Sequence, residues 1–157
     1  MASIRLRKAN RKDIDEILNL LYQLQRPRPR TSSEYTAFRK RISQYLGEKD
    51  KRIIVSERDS KIVGLVSMVL LPRLNRTKLE LYIPELVVSE NHRGSGVGKS
   101  LIESCISMAK KKKCFRIRLE SGNQREGAHL FYKKIGFEQS ALSYTMTIEH
   151  KQKSASF

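Results

Sequence analysis

Acidic side chains are scarce in this sequence. Sixteen Asp and Glu stand against thirty-two Lys and Arg, a net charge of +16 over 157 residues. A charge of that size sets up a field several kT deep, which favours anionic partners and disfavours a strongly basic tail as substrate. The same charge could do no more than keep the protein in solution. Cysteine is scarce too. Cys105 and Cys114 match no metal or redox spacing, so both read as core residues of a protein in a reducing compartment. His92 and His129 have no third ligand near them, and no metal site is expected. No apolar run approaches the roughly 18 residues that span a bilayer, which argues against a membrane partner. Residues 1–11 are basic with no apolar block behind them, so a secretory signal is not expected and the cytoplasm is the expected location. Internal repeats and low-complexity tracts are missing as well. The lysines at 110–113 come without aromatic interleaving and close a helix, where cations meet the negative end of its dipole. Nucleic acid is therefore not the expected partner, in spite of the charge.

Enough apolar residues remain for one core. A chain of this length buries roughly 68–70% of its unfolded surface, so it needs no disulfide or metal to fold, and residues 1–157 read as a single domain. Residues 3–9 alternate as a strand. Asp13 is placed to cap a helix with Ile14, Ile17, Leu18, Leu21 and Leu24 on one side, and the Arg-Pro repeats at 26–30 break it. Ser32 or Ser33 opens a second helix, which Gly47 ends. Residues 52–57 and 61–71 flank a turn and predict a hairpin. The next strand, 78–89, changes phase. Leu79, Leu81 and Ile83 are odd, whereas Leu86 and Val88 are even. One inserted residue near Pro84-Glu85, a β-bulge, accounts for the flip. A glycine-rich turn at 93–98 leads into a helix of about four turns. A strand over 115–119, a helix over 126–135 and one or two strands over 137–148 complete the chain. The pattern predicts an α/β fold with a mixed sheet and helices on both faces.

The glycine turn carries the first chemical signal. A Walker loop would need glycine where Arg93 stands, and a dinucleotide fingerprint has different spacing and comes earlier in a chain. The pattern that fits is Arg-x-x-Gly-x-Gly, through Arg93, Gly96 and Gly98. A strand ends, successive N–H groups turn outward and a helix begins, so backbone donors and the helix dipole form a cradle for an anion such as pyrophosphate. The competing account is a tight turn that needs glycine only for its backbone angles.

The stretch Ile83-Pro-Glu-Leu-Val-Val-Ser-Glu-Asn-His-Arg-Gly-Ser-Gly-Val-Gly98 resembles the signature of the GNAT superfamily of acyl-CoA-dependent N-acyltransferases. Ala128-His-Leu-Phe-Tyr132 followed by Gly136-Phe137 resembles its second signature. The resemblance implies the GNAT fold: a sheet of six to seven strands with about four helices on both faces, splayed between the fourth and fifth strands. It implies acetyl-CoA as cosubstrate, with its pantetheine along the backbone of Leu86, Val87 and Val88 and its pyrophosphate on Arg93, Gly94, Ser95, Gly96, Val97, Gly98 and Lys99. It places Tyr132 where many members protonate the departing thiolate. Glu85 and Glu80 compete for the role of base, with Glu85 nearer the thioester, and Tyr82 could relay a proton through water. Each carboxylate could instead pair with one of the many Lys and Arg.

Arg125 stands where ribosomal and N-terminal acetyltransferases usually carry Asn, so the second signature is more similar to that of small-molecule members. Aminoalkylphosphonate acetyltransferases are the nearest among them, although Tyr82 replaces an acid expected in that subgroup. The implied acceptor is a small amine, with Arg26, Arg28 and Arg30 available for an anionic group. The alternative is a protein N-acetyltransferase acting on N-terminal α-amino or lysine groups. A non-catalytic domain that keeps the CoA pocket is a third reading. Small members often pair, so a homodimer is the expected assembly.

Overall fold

The computed structural model describes residues 3–24 and 26–150. Two compact units divide the chain, residues 1–119 and 120–157.

The first unit is a mixed sheet with helices on its two faces. In chain order it contains β1 (Arg5–Lys8), α1 (Ile14–Tyr22), α2 (Ser32–Leu46), β2 (Lys51–Arg58), β3 (Lys61–Leu71), β4 (Glu80–Ile83), β5 (Leu86–Val88), α3 (Val97–Lys111) and β6 (Arg116–Leu119). The strands run β1-β2-β3-β4-β6 across the sheet, and β5 pairs with β3 beyond the end of β4. Every pairing is antiparallel except β4 with β6. The hairpin between β2 and β3 turns on Asp59 and Ser60, both in the left-handed region with φ of 52° and 62°. That handedness matches the twist of the strands it joins.

β3 lies at the centre and is buried on both faces, which is why its sequence is a continuous apolar run rather than an alternation. Leu65 points into a core with Ile17 and Leu18 of α1 and Ile42 of α2. Its neighbour Gly64 points the other way, toward α3. A Cβ at Gly64 would come within 2.9 Å of a Val97 methyl and 3.2 Å of Leu101. Glycine there lets the first turn of α3 settle directly on the sheet. Cys105, on the inner side of the same helix, is fully buried. Burial pushes its thiol up to about 12.

Asp13 stands at the N-cap position of α1 as expected, but its side chain makes no capping bond there. Asn10 caps a single 3-10 turn, Arg11–Asp13, that leads into α1, its side chain accepting from the Lys12 N–H, while the Asp13 carboxylate accepts from the Asn10 N–H at 2.8 Å. The reason is Arg7. Its guanidinium donates to both Asp13 oxygens (2.7 and 2.8 Å) and to Glu57 (2.8 Å), so the carboxylate serves β1 rather than the first turn of α1. The second helix opens at Ser32 as expected, and the Thr31 hydroxyl before it supplies the cap, accepting from the Glu34 N–H. The Arg7 hydrogen bonds, working against burial, hold the Asp13 carboxyl below its ordinary value. Stabilisation from a carboxyl with a depressed value is complete above the unfolded value of about 3.9 and is lost as pH falls through the folded one. Urea melts of Asp13→Asn should show a loss of about 1–3 kcal/mol at pH 7 that narrows toward pH 2. A gap of the same size at both pH values would remove Asp13 from the acid response.

The second unit holds α4 (Glu126–Ile135), which closes on Gly136 at φ 117°. The strands expected over 137–148 do not form. The alternation is present, but Leu142, Tyr144, Met146 and Ile148 are 67–89% exposed. Periodicity specifies a face, and a strand also requires a ladder partner, which no described residue supplies here. Among the described residues, no helix is long and apolar enough to cross a membrane.

Candidate active site

The site grows out of a mismatch in one strand pairing. Tyr82 faces Val69 across the ladder and Leu86 faces Val66, so residues 83–85 stand opposite residues 67 and 68 alone. This is the one-residue bulge that the phase change predicts. Pro84 sits in it without costing a ladder donor. The bulge divides the expected strand into β4 and β5 and opens the sheet. β4 pairs with β6 as far as Ile83, and β5 pairs only with β3, so a gap begins at Pro84 on the β6 side. The splay expected between the fourth strand, here β4 with β5, and the fifth, here β6, lies there.

Bulges leave backbone groups unpaired, and here Ser67 takes them up. Its N–H donates to the Glu85 carbonyl at 2.9 Å, and its hydroxyl accepts from the Glu85 N–H at 3.0 Å. The same hydroxyl donates to the Glu85 carboxylate in a short hydrogen bond. Ser67 is only 3% exposed, so the Glu85 side chain is held from below by a buried donor. Tyr45 of α2 lies beside this pair and donates to the Met68 carbonyl at 3.2 Å. Burial first, then the Glu85 charge, push its phenol well above the ordinary value, so Tyr45 stays protonated. Neither residue is expected at the site from the sequence, where Tyr45 is one of the residues along the apolar side of α2. The available signal was a serine inside the apolar run of β3, at a position that proves to be buried.

The backbone of β5 is aimed by alternation. Glu85 and Ser89 both bond to β3, through Ser67 N–H to Glu85 O and Ser89 N–H to Val63 O. In an antiparallel ladder the intervening residues alternate. Val87 therefore also turns its polar groups to β3, while Leu86 and Val88 present theirs to the gap. Of the three residues expected along pantetheine, Leu86 and Val88 offer backbone groups and Val87 supplies a core side chain, 2% exposed.

The loop at 93–98 ends this edge. Gly94 and Gly96 have φ of 76° and 87°, and a Cβ on either would meet nothing within 4 Å. They are there for the left-handed backbone, and their outer side is open. Helix α3 starts on Gly96 with no side-chain cap and no acid in its first turn. Its first N–H groups lack the usual intrahelical partners. Lys99 sits exposed in that first turn and Arg93 just before it, so two cations crowd the positive end of the dipole. An anion would relieve all of this at once. Arg93 also reaches back to the Val88 carbonyl, Nε to O 3.3 Å, tying the loop to β5. Ser95 donates to the His92 carbonyl and braces the turn.

Glu80 is placed differently from Glu85. It is 0% exposed, and its oxygens accept from Arg116 Nε at 2.6 Å and Arg118 Nε at 2.8 Å. Burial pushes its carboxyl up, but the hydrogen bonds from Arg118 and Arg116 outweigh this and leave it below the ordinary range. A carboxylate held this way is a poor proton acceptor. Of the linker arginines, Arg26 reaches the bulge, donating to the Pro84 carbonyl at 3.4 Å. Arg28 packs over the Tyr22 ring, 4.9 Å from its centre. Arg30 is anchored through its backbone N–H to Glu34. In the second unit Tyr132 stands edge-on to Phe131 and Phe137, with ring centres at 5.3 and 5.7 Å. Among the described residues, no group of three or more His, Cys, Asp or Glu is arranged to hold a metal ion.

Comparison with known proteins adds a family. A profile of the "Acetyltransferase (GNAT) family" matches residues 14–137. The chain is 26% identical over 143 residues to an aminoalkylphosphonate N-acetyltransferase of Salmonella typhimurium, covering 91% of this chain and 90% of that one. It is 30% identical over 87 residues to a glucosamine 6-phosphate N-acetyltransferase of Trypanosoma brucei brucei, covering 55% of this chain and 57% of that protein. The chain spans about half the length of several curated relatives it matches. Among solved structures, one described as a putative acetyltransferase from Agrobacterium tumefaciens superposes with a TM-score of 0.82 at 25% identity, over 92% of this chain and 99% of that one.

Proposed function

The chain belongs to the acetyltransferase (GNAT) family, and from that premise we propose that it moves the acetyl group of acetyl-CoA to the amine of a small molecule by direct attack. The observation that carries this reading is the bulge, which sets Glu85 at the start of β5, where the gap begins, and turns the backbone of Leu86 and Val88 away from β3. In this reading the two units form one acetyltransferase domain, since the family match runs through both.

Each group then has a task. The N–H groups that open α3, with Arg93 and Lys99, hold the pyrophosphate. The Leu86 and Val88 edge aligns pantetheine, and the Leu86 N–H polarises the thioester carbonyl as an oxyanion donor does. Glu85 takes a proton from the acceptor ammonium, and the freed amine adds to the carbonyl carbon. The tetrahedral adduct collapses, the C–S bond breaks as Tyr132 protonates the leaving thiolate, and the second proton, shed by the nitrogen as it becomes an amide, restores the phenol. A thiol near ~8.5 and a phenol near ~10 are close enough for that transfer. The Salmonella and trypanosomal relatives are named for amines that carry phosphonate or phosphate. Those names support an acceptor with an anionic group, and Arg26 borders the site at Pro84.

Thiol release from acetyl-CoA, measured across small amines, peptides with free N-termini and lysine peptides, tests the assignment. Turnover of small amines alone supports it, and turnover of peptides alone favours the protein-directed alternative. Failure with every acceptor, together with no calorimetric heat on adding coenzyme A, removes the enzymatic reading. A narrower test addresses the cradle. At Gly96 a Cβ makes left-handed backbone cost about 1–2 kcal/mol. Gly96→Ala escapes that strain only by re-aiming the N–H groups of the first turn. Calorimetry should show coenzyme A binding weakened about tenfold, and unchanged binding would detach the loop from the pyrophosphate.

A further inference from the structure

Burial stops early in this chain. None of the described residues 120–150 is buried, and every residue from 138 to 150 is exposed. Large apolar side chains are present there all the same. Leu142, Tyr144, Met146 and Ile148 are 71%, 89%, 83% and 67% exposed. Leu130 of α4, in the same compact unit, is 70% exposed. Alternation puts the first four on one side of an extended chain, with Ser143, Thr145 and Thr147 on the other. An apolar stripe of strand period, outside any ladder and any core, marks a surface that another chain covers.

Charge narrows the choice of partner. Residues 135–150 contain Glu138 and Glu149 but neither Lys nor Arg, the longest such stretch in a chain with thirty-two. Two copies at +16 repel each other through most of their surfaces. At this stripe they can approach without setting cation against cation. An acidic partner would be drawn to the basic surfaces instead.

The stripe also matches itself. An antiparallel two-fold centred on Thr145 sets Leu142 opposite Ile148, Tyr144 opposite Met146, Ser143 opposite Thr147, and Thr145 opposite its own copy. Each apolar residue then meets an apolar one, a sulfur meets a ring, and hydroxyls meet hydroxyls. Moving the centre to Tyr144 leaves Ile148 facing Ser140, and moving it to Met146 leaves Leu142 facing His150. A centre between two residues sets apolar against polar throughout.

We infer that residues 142–148 of two copies pair as an antiparallel ribbon centred on Thr145, an isologous interface that makes the protein a homodimer. A two-stranded ribbon alone is marginal, and the α4 helix of each copy supplies a layer for it through Leu130. The inference is independent of the chemistry proposed at Glu85.

Sedimentation and oxidative cross-linking of the full chain test it. The parent should sediment as a dimer at micromolar concentration. Tyr144→Lys/Met146→Lys puts two cations from each copy into the ladder and should raise the dimer dissociation constant about 100-fold or more. Both side chains are exposed in the single chain, so the circular dichroism of a variant monomer should still show the folded first unit. Cross-linking is read in a Cys114→Ser background, which removes the partly exposed thiol. Across the axis the two Thr145 Cα atoms would stand about 4.5–5.5 Å apart, within disulfide reach. Thr145→Cys should therefore oxidise to a covalent dimer. Ser143→Cys, about 13 Å from its own copy, should not, whereas its mixture with Thr147→Cys should. A monomeric parent, a dimer that survives the double lysine substitution, or cross-linking no better at 145 than at 143 overturns the inference. Hydrogen exchange on a monomeric parent would identify the replacement. Slow exchange over 142–148 would mean the segment folds onto its own chain, and fast exchange would leave the stripe to a different protein.

Discussion

Glu85→Gln is expected to lower kcat by roughly 10²–10⁴-fold, the usual contribution of a positioned acid or base, with KM for acetyl-CoA close to the parent value. The substitution keeps the shape of the side chain and an oxygen for the Ser67 hydroxyl. The bulge and the backbone bonds that Ser67 makes to it should therefore survive. Only the ability to accept a proton from the acceptor is lost. Glu80→Gln is the informative contrast. It leaves Arg116 and Arg118 with a weak partner at a site with no solvent access, so thermal stability should fall more than kcat. Removal of the Ser67 hydroxyl should fall between the two, lowering kcat by loosening Glu85 without changing its chemistry. The assignment of the base fails if Glu85→Gln turns over like the parent or if Glu80→Gln is the slower of the pair.

The second large effect is expected at Tyr132. Tyr132→Phe keeps the ring that sits between Phe131 and Phe137 and deletes only the hydroxyl. Folding and KM for acetyl-CoA should be near normal, while kcat falls roughly 10²-fold or more as the thiolate departs without a proton. Rapid-mixing experiments should place the defect in breakdown of the thioester rather than in binding. A phenylalanine variant with parental kcat would leave the ring in place as packing and require another proton donor.

Local patterns in the sequence carried much of this architecture. The phase change between Ile83 and Leu86 located the bulge near Pro84-Glu85, because a period of two leaves no other way to turn both flanking sets of side chains inward. The glycine spacing located the loop and the start of α3 for a similar reason, since left-handed backbone at 94 and 96 admits few other residues. What escaped sequence reading was pairing. Ser67 is eighteen residues from Glu85 and Tyr45 is forty away, and neither relation leaves a periodic trace. The engagement of Glu80 depends on the parallel register of β4 with β6, which only the folded sheet displays. The capping bond made by Asn10 rather than Asp13 is the same lesson at short range, because Arg7 on the neighbouring strand decided the competition. The alternation over 137–148 is the converse case, a strand-like pattern with no ladder to join.

The sulfur atoms bear on how such a protein can be assayed. Cys105 is sealed beneath α3 with its proton held up to about 12, and burial raises Cys114 as well. A thiol-reactive dye at neutral pH needs an exposed thiolate, and these two side chains offer it little. Colour from a folded sample should therefore report liberated coenzyme almost alone, and a slow rise in the blank would register unfolding.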